Sequence, residues 1–455
     1  GTTPEYFTWN TSGVNEGDPV FVVGNPGSTS RLHTIAQLEY ERDVELPGVL
    51  EILDDRIAVL SDYVQSITAE ADSFDVRNDL MGARNTQKSL EGQYKGLLHG
   101  DVLSRTYSSE IKLDQVIQES DSLSQLYGSV LKDIRLLQSS KKASSKKAAA
   151  FYHFLNPSVS SRILSRSIYG YVYSLLRQRG APPEQLQEIR KEALSIKSWP
   201  PALEKSIIAH RLHDFSTYLG MADPSMKRIL GTLTIEQLAD SLVTQTALSD
   251  STEFRKLLDG NYLASGDATV NLINALAPLY FTLDQELRSF GERETAFLAR
   301  LSMAQFAVNG EDAPPDATFT LRLSDGVVQS YTSAGVHVPA FTNFTGLYAL
   351  SNAKQGLLEW DLPPSWIAAE GELPGDIPYN LVSTNDITGG NSGSPLLNSQ
   401  LEVIGLIFDG NLESLPNEYV FDTTAARAIS VDARAIIAAL KFVYHTDRLI
   451  DELVK

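Results

Sequence analysis

The spacing of apolar residues divides the chain into three regions. At the N-terminal end the pattern is that of strand and turn, because a β-branched run at 19–23 stops at the Gly-Asn-Pro-Gly sequence of 24–27. From about Pro47 to about Asn309, apolar residues recur at steps of three and four, which predicts amphipathic helices. Two such stripes are Leu53, Ile57, Leu60, Val64 and Ile67, and Leu123, Leu126, Val130, Ile134 and Leu137.

Proline and glycine divide the helical region into helices of ordinary length. The breaks are expected at Pro157, Gly180, Pro182, Pro183, Pro200, Pro201, Pro224 and Gly260. Their spacing is irregular, so the region is predicted to be a helical domain and neither a solenoid nor one long coiled coil.

After about Glu311 the strand pattern returns. Apolar and polar residues alternate over 318–323 before a Ser-Asp-Gly turn, and a second apolar run at 401–408 precedes Asp-Gly-Asn. A last helix is predicted over 431–454. The chain is therefore predicted to combine β and α structure, with an all-helical block interrupting a β domain.

Composition and charge exclude several functions. The 455 residues carry 38 basic and 57 acidic side chains, a net charge of −19, and no local basic face that would suit nucleic acid. No apolar run reaches the roughly 18 residues of a membrane span. Cysteine is absent, which excludes disulfides, thiolate metal sites and a cysteine nucleophile. His210 and His213 have only Asp214 beside them, so neither a metal site nor a cofactor is predicted.

The most specific motif is Thr-Asn-Asp-Ile-Thr-Gly-Gly-Asn-Ser-Gly-Ser-Pro at 384–395. Small residues on each side of Ser392 permit a tight turn that projects the hydroxyl and aims the N–H groups of Gly390 and Ser392 at one point. That geometry is an oxyanion hole, in which each donor stabilises a transition state by about 2.7–4 kcal/mol. The motif therefore favours a serine nucleophile.

The motif resembles the nucleophile loop of the trypsin-fold serine peptidases, and residues 16–27 resemble the strand that opens their second barrel. The chain as a whole is similar to the bacterial dipeptidyl-peptidases of types 7 and 11, which are serine exopeptidases that release dipeptides from peptide N-termini. The stretches that carry this resemblance are 24–27, 315–322, 386–395, 408–411 and 427–434.

The resemblance implies a trypsin-like second β-barrel interrupted by a large all-helical insertion. The first part of the barrel would occupy 1–45, the inserted helical cap 46–310, and the remainder of the barrel, with the nucleophile loop and the C-terminal helix, 311–455. It also implies peptide substrates with a free N-terminus, a periplasmic or secreted location and a homodimer.

The family's site residues carry over position by position. Ser392 would be the nucleophile and the Gly390 amide part of the oxyanion hole. Asp409 would bind the free α-ammonium of the substrate, and Asn85 would share that task. Gly410 matches the position where an arginine suits acidic side chains, so glycine implies cleavage after apolar or aromatic residues.

Two positions near Ser392 qualify this interpretation. Asp386 lies six residues before Ser392, the spacing at which trypsin keeps the carboxylate that selects arginine and lysine, so a basic preference stays open. Asn391 stands where activated trypsins keep an aspartate that pairs with a newly cut N-terminus. Activation by trimming is therefore not expected.

A serine nucleophile also needs a histidine base and a carboxylate that orients it. In the trypsin fold both come from the first barrel, and none of the seven histidines lies in a stretch that resembles the family's histidine motif; they are His33, His99, His153, His210, His213, His337 and His445. The chain starts at Gly1 without a leader, and we expect it to be the C-terminal portion of a longer peptidase, inactive or nearly so alone.

Two alternatives remain open. The first is a non-catalytic peptide-binding or scaffold protein with a degenerate protease barrel, although the intact stretch at 389–395 and the Asp409-Gly410 pair argue against decay. The second is an endopeptidase, because the Gly-Asp-Pro-Val entry to the first strand resembles that of periplasmic quality-control proteases. A helical block over the cleft would obstruct a long substrate.

Overall fold

The computed structural model describes residues 3, 5–67, 74–155, 159–310, 316–357 and 360–454. It contains two compact units. The β unit comprises Gly1–His33, Lys95–Thr106 and Glu311–Lys455, and the helical unit comprises Thr34–Tyr94 and Tyr107–Gly310. The first division thus falls at 33/34, ahead of the boundary expected at 45/46.

The region between the two β segments is helical throughout its described part. Its helices are α1 (Ile35–Tyr40), α2 (Leu46–Ser66), α3 (Phe74–Leu98), α4 (Gly100–Glu119), α5 (Asp121–Tyr127), α6 (Val130–Leu155), α7 (Arg162–Gln178), α8 (Pro183–Ser195), α9 (Pro201–Leu219), α10 (Pro224–Leu230), α11 (Ile235–Thr244), α12 (Ser251–Asp259) and α13 (Ala268–Asn309). A π-helical turn at Glu41–Glu45 joins α1 to α2.

The helical region begins earlier than predicted because of a capping box. The Thr34 hydroxyl accepts a hydrogen bond from the Gln37 amide, and the Gln37 side chain accepts one from the Thr34 amide at 3.1 Å. This Thr-x-x-Gln pattern stabilises a helix start at Ile35. Pro47 lies in the first turn of α2, directly after the π-helical turn.

Most of the predicted helix breaks are confirmed. Helix α7 ends just before Gly180 and α12 just before Gly260, while α8, α9 and α10 begin at prolines. Pro157 lies outside the described residues. The stripe from Leu123 to Leu137 is divided between α5 and α6 by a break at Gly128, and Leu126 is 59% exposed.

The helical unit has a hydrophobic core of its own. Phe151 and Phe154 of α6 pack against Phe215 of α9, with ring centroids 5.0 and 5.5 Å apart. Val270 and Leu276 of α13 are fully buried in the same cluster. Burial of this many apolar side chains stabilises the insertion independently of the strands that flank it in sequence.

The β unit contains nine strands in its described part. They are β1 (Pro19–Gly24), β2 (Arg322–Val327), β3 (Tyr331–Ser333), β4 (Val336–Val338), β5 (Phe341–Asn343), β6 (Pro378–Ser383), β7 (Pro395–Leu397), β8 (Val403–Gly410) and β9 (Ala428–Asp432). The helices of this unit that follow the insertion are α14 (Phe344–Ala353), α15 (Pro364–Ala368), α16 (Ala433–Ala438) and α17 (Asp447–Leu453).

Seven of these strands form one antiparallel sheet in the order β2-β1-β7-β8-β9-β6-β5. A bridge between Val328 and Ser383 joins the end of β2 to β6, and the Thr384 amide donates to the Val327 carbonyl at 3.0 Å. Six strands, β2-β1-β7-β8-β9-β6, therefore form a closed ring. Its interior holds buried side chains such as Val20 and Leu396.

The predicted mixture of β and α structure, with a helical insertion between two β segments, is confirmed. Strand β1 precedes the insertion and β2 follows it, and they pair in register from Pro19–Val327 to Gly24–Arg322. The assignment of this ring as a barrel of the trypsin type stays a prediction.

One carboxylate fastens the two crossings into the insertion. Asp316 accepts hydrogen bonds from the Thr29 hydroxyl at 2.7 Å and from the amides of Arg31 and Leu32 at 2.8 and 3.1 Å. The Ala317 amide donates in turn to the Thr29 hydroxyl at 2.9 Å. The segments that precede and follow the insertion are therefore bonded to each other within the β unit.

Two predicted strand ends were wrong. Strand β2 starts at Arg322 and not at 318, because Phe319 has a positive φ of 61°, which an extended strand does not contain. It runs through Ser-Asp-Gly at 324–326, because β1 supplies the partner hydrogen bonds for those residues. Strand β8 similarly includes Asp409 and Gly410, which pair with β9.

The predicted helix over 431–454 was also wrong in part. Strand β9 continues to Asp432, whose side chain caps α16 by accepting a hydrogen bond from the Arg434 amide at 2.9 Å. The helix is interrupted at 444–446, where His445 has a φ of 51°, before α17 begins. A capping aspartate and a left-handed residue therefore divide the segment.

Candidate active site

The loop that contains Ser392 leads into the short strand β7, which lies between β1 and β8. The loop is closed by its own hydrogen bonds, since the amide of Asn391 donates to the Thr388 carbonyl at 3.1 Å and that of Ser394 to the Asn391 carbonyl at 2.9 Å. The buried Asn391 side chain accepts from the Thr388 amide at 3.1 Å. Asn391 therefore fastens the loop, and Ser392 is left exposed at its turn.

Gly390 is required by the shape of this loop. Its φ is 104°, a conformation that L side chains rarely adopt. A Cβ placed on it would lie 2.6 Å from the Asn25 carbonyl oxygen and 2.9 Å from the Gly27 nitrogen. The Gly27 amide also donates to the Gly389 carbonyl at 2.6 Å. The turn after β1 thus packs directly against the backbone of the loop.

Two backbone donors beside Ser392 have no acceptor among the described residues. The amides of Gly390 and Ser392 form no hydrogen bond there, whereas those of Asn391, Gly393 and Ser394 do. Donors that are held by a fixed loop and not used within it are what an oxyanion hole requires.

Strand pairing brings Asp409 to the same place. The Ile407 amide donates to the Ser394 carbonyl at 2.9 Å, and the Gly393 amide donates to the Ile407 carbonyl at 2.7 Å. Ser392 and Asp409 each lie two residues beyond the Ser394–Ile407 pair. The β7–β8 ladder therefore ends with the Ser392 hydroxyl and the Asp409 carboxylate on neighbouring chain segments.

A β-bulge directs the side chains at the end of β8. Ile407 is opposite Ser430 and Asp409 is opposite Ile429, so Phe408 is the extra residue. Phe408 and Asp409 are both exposed. The Asp409 carboxylate also accepts the Gly410 amide at 2.8 Å, which orients it.

Asp386 is neutralised by an arginine that the sequence did not point to. Arg31 donates to both oxygens of Asp386, at 2.6 and 2.8 Å, and to the Asn417 carbonyl at 3.0 Å. Its guanidinium carbon lies 5.5 Å from the centre of the Phe421 ring. The pair lines a cavity of about 320 Å³ in the β unit. A carboxylate already held by a bidentate cation offers little charge to a basic substrate side chain.

The other predicted site residues lie as follows. Gly410 is the last residue of β8, and a Cβ placed on it would collide with the Ser414 hydroxyl. Asn85 lies on α3 in the helical unit, with its side chain exposed. Ser392, Gly390, Asp409 and Gly410 are thus grouped within the β unit, and Asn85 belongs to the other unit.

No histidine side chain that the structure describes is hydrogen-bonded to Ser392. His210 contacts a carbonyl of its own helix at 2.9 Å, His445 contacts the Lys441 carbonyl at 3.1 Å, and His213 lies 3.6 Å from Glu236. The side chain of His153 lies outside the described part.

In the same described part, no cluster of three or more His, Asp or Glu side chains could hold a metal ion. No helix described there is long and apolar enough to cross a membrane.

Sequence reasoning missed Arg31 and Phe319. Arg31 belongs to no motif, and its partner is 355 residues away in the chain. Phe319 lies inside a stretch that the family resemblance includes, but its positive φ and its 65% exposure cannot be read from residue type.

Comparison with known proteins places this geometry in a family context. The Peptidase S46 family model matches residues 2–455. An Asp/Glu-specific dipeptidyl-peptidase of Shewanella putrefaciens is 25% identical over 98% of this chain and 66% of its own length. A dipeptidyl-peptidase 7 of Porphyromonas endodontalis is 23% identical over 97% of this chain and 55% of its own length. The chain therefore spans between about half and two thirds of the length of these relatives.

A solved structure has the same fold. Porphyromonas endodontalis DPP11 in complex with the dipeptide Arg-Glu superposes with a TM-score of 0.83 at 16% identity, over 99% of this chain and 66% of that one. Together with the named relatives, this confirms the resemblance to the type 7 and type 11 dipeptidyl-peptidases.

Replacing Gly390 with alanine is expected to destabilise the β unit, whereas the same change at Gly389 is not. The left-handed backbone costs about 1–2 kcal/mol for a residue with a Cβ, and overpacking against two backbone atoms adds about 1–3 kcal/mol. No described atom lies within 4 Å of a Cβ placed on Gly389. Urea unfolding at equilibrium should show a loss of at least about 2 kcal/mol for G390A and less than about 0.5 kcal/mol for G389A. Equal losses would contradict the packing described here.

Proposed function

The chain belongs to the peptidase S46 family, and we propose that it carries the nucleophile and the substrate-binding end of a serine dipeptidyl-peptidase. The observation that supports this most directly is the β7–β8 pairing, which holds the exposed Ser392 beside the exposed Asp409. A nucleophile next to an anion is the arrangement that an enzyme needs to cut at a fixed distance from a free amine.

In the proposed reaction the Ser392 hydroxyl attacks the carbonyl carbon of the bond after the second substrate residue. The carbonyl oxygen becomes an oxyanion, which the amides of Gly390 and Ser392 stabilise. The amine of the remaining peptide leaves with a proton, and the dipeptide stays bound as an ester of Ser392. Water then hydrolyses the ester and releases the dipeptide.

The proton of the Ser392 hydroxyl needs an acceptor. No described histidine contacts Ser392. We therefore propose that the base, and the carboxylate that orients it, are residues other than the described histidines. The 455-residue chain alone is therefore expected to be inactive or nearly so.

Asp409 would bind the α-ammonium and so fix the distance between the substrate's amine and the cut bond. An extended dipeptide spans about 7 Å, and neighbouring strands lie about 4.8 Å apart. Ser392 and Asp409 lie at equal distances beyond the last bonded pair of two such strands. The separation is therefore of the order that two residues require, and a carboxylate binds the α-ammonium by charge-assisted hydrogen bonds. The dipeptide that accompanies P. endodontalis DPP11 is consistent with this.

We propose an apolar or aromatic residue before the cut bond. Gly410 adds no charge beside Asp409, and Arg31 neutralises Asp386, which disfavours a basic preference. One relative is named Asp/Glu-specific and another dipeptidyl-peptidase 7, so the relatives' names alone do not decide this chain's preference.

The remaining parts of the proposal rest on family resemblance. Asn85 would assist Asp409 in binding the α-ammonium, and it offers an exposed amide on α3. A periplasmic or secreted location and a homodimer are proposed on the same basis.

The first test is hydrolysis of fluorogenic dipeptidyl amides that end in Leu, Phe, Asp or Arg. The full product of the gene is expected to release the fluorophore, and S392A should lower kcat at least about 1,000-fold, because the nucleophile is lost. The 455-residue chain should show little or no turnover. Turnover that survives in S392A would overturn the assignment of the nucleophile, and an inactive full product would favour the scaffold alternative.

Asp409→Asn is expected to raise KM about 10- to 100-fold for substrates with a free amine, because a charge-assisted hydrogen bond of about 1.5–3 kcal/mol is lost. Substrates whose amine is acetylated should bind equally poorly to both forms. Asp451→Asn, which removes an exposed carboxylate on α17, serves as the matched control and should change neither value. Equal effects of D409N on both substrate types would contradict the proposal that Asp409 binds the α-ammonium.

The side-chain preference can be tested by adding a cation at Gly410. Gly410→Arg combined with Ser414→Ala, which removes the colliding hydroxyl, is expected to raise the ratio of kcat/KM for Glu over Leu at least about tenfold. Gly410→Met with Ser414→Ala has a similar volume without charge and should leave that ratio low. A wild-type preference for Glu would show that Gly410 does not set the preference.

A further inference from the structure

Phe319 is held in a conformation that fold stability alone does not favour. Its φ is 61°, which costs a residue with a Cβ about 1–2 kcal/mol, and its ring is 65% exposed. The surrounding chain fixes it nonetheless, since its amide donates to the Pro26 carbonyl at 2.8 Å and its carbonyl accepts from the Asn25 side chain at 3.2 Å. Strained and exposed residues that are fastened in this way are concentrated at functional sites.

The ring lies against the nucleophile loop. A Cβ placed on Gly390 would be 3.2 Å from Cε2 of Phe319, so the ring edge borders the glycine of the proposed oxyanion hole. The contact is made from the side of the loop that faces the turn after β1, where Asn25 and Gly27 also touch it.

Asp409 approaches the loop from the other side. In the sheet, β7 lies between β1 and β8, so the ends of β1 and β8 flank it. The Gly27–Gly389 hydrogen bond lies on the β1 side and the Gly393–Ile407 hydrogen bond on the β8 side. Ser392 therefore lies between Asp409 and Phe319 across the sheet.

The order Asp409, Ser392, Phe319 across the sheet sets the direction in which a bound substrate would run. If the α-ammonium is at Asp409 and the second carbonyl is at Ser392, the peptide beyond the cut bond must continue toward the β1 side, where Phe319 is exposed. We propose that Phe319 is a substrate-contacting residue whose ring packs against the side chain that follows the cut bond, and that it favours an apolar or aromatic residue there. This inference rests on the proposed function.

The test compares two peptides that share their first two residues and differ in the third, which is Phe in one and Gly in the other. Dipeptide release by the full product of the gene is followed by chromatography. Wild type is expected to prefer the Phe peptide, and Phe319→Ala should lower the Phe-to-Gly ratio of kcat/KM about three- to tenfold, as expected for the loss of one aromatic contact. Phe319→Tyr should restore the ratio.

Two controls separate a contact from a structural defect. Leu401 is also exposed, at 59%, and has the same φ of 61°, but it lies in the β7–β8 turn at the far end of both strands, so Leu401→Ala should leave the ratio unchanged. A dipeptide amide, whose leaving group is ammonia, should be hydrolysed equally by wild type and F319A.

The outcomes are distinguishable. Dipeptide release with a ratio that F319A does not alter would overturn the inference and leave the proposed function standing, as would an equal loss for the dipeptide amide. Absence of dipeptide release by wild type would overturn the proposed function and this inference with it.

Discussion

The pairing of β7 with a strand on each side is the constraint on which the candidate site depends. Leu396 is opposite Val22 of β1 and Gly405 of β8, and its side chain is fully buried. A slip of one residue would turn Leu396 to the outer face of the sheet, so burial fixes the register. Once the register is fixed, the residues that follow the ladder on each strand are fixed too. Ser392 and Asp409 are therefore held on neighbouring chain segments, because burial of Leu396 prevents β7 from shifting.

The two aspartates that flank the Ser392 loop in sequence are held by different groups. The chain is strongly acidic, at −19, and Asp386 and Asp409 both flank the nucleophile loop in sequence. Under the proposed function, two carboxylates with equal access to one ammonium would bind it in two positions. The bidentate pair of Arg31 with Asp386 removes one of them, and its two side chains are only 20% and 32% exposed, so water screens the pair weakly. Arg31, 355 residues away in sequence, thus distinguishes Asp386 from Asp409, whose carboxylate accepts the Gly410 amide.

Much of the architecture and of the site was predictable, because local patterns encode it. The helical stripes, most of the breaks and the tight loop around Ser392 depend on neighbours in sequence. The start of the helical region at Ile35 is also encoded locally, in the Thr-x-x-Gln pattern. What no local pattern encodes is a contact across hundreds of residues. The ion pair of Arg31 and the left-handed backbone of Phe319, which is fixed by Asn25 and Pro26, exist only once the strands are paired.

Local bonding at the crossings lets the site tolerate an insertion of nearly three hundred residues between β1 and β2. Closing a flexible loop of that length costs about 4 kcal/mol more than closing a short hairpin, since the cost grows only with the logarithm of length. The β1–β2 ladder and the hydrogen bonds to Asp316 each contribute about 1 kcal/mol per bond, so together they exceed that cost. The helical unit also buries a core of its own, which lowers the entropy that closure must overcome. The geometry beside Ser392 therefore depends on the bonds at the crossings and not on the length of chain between them.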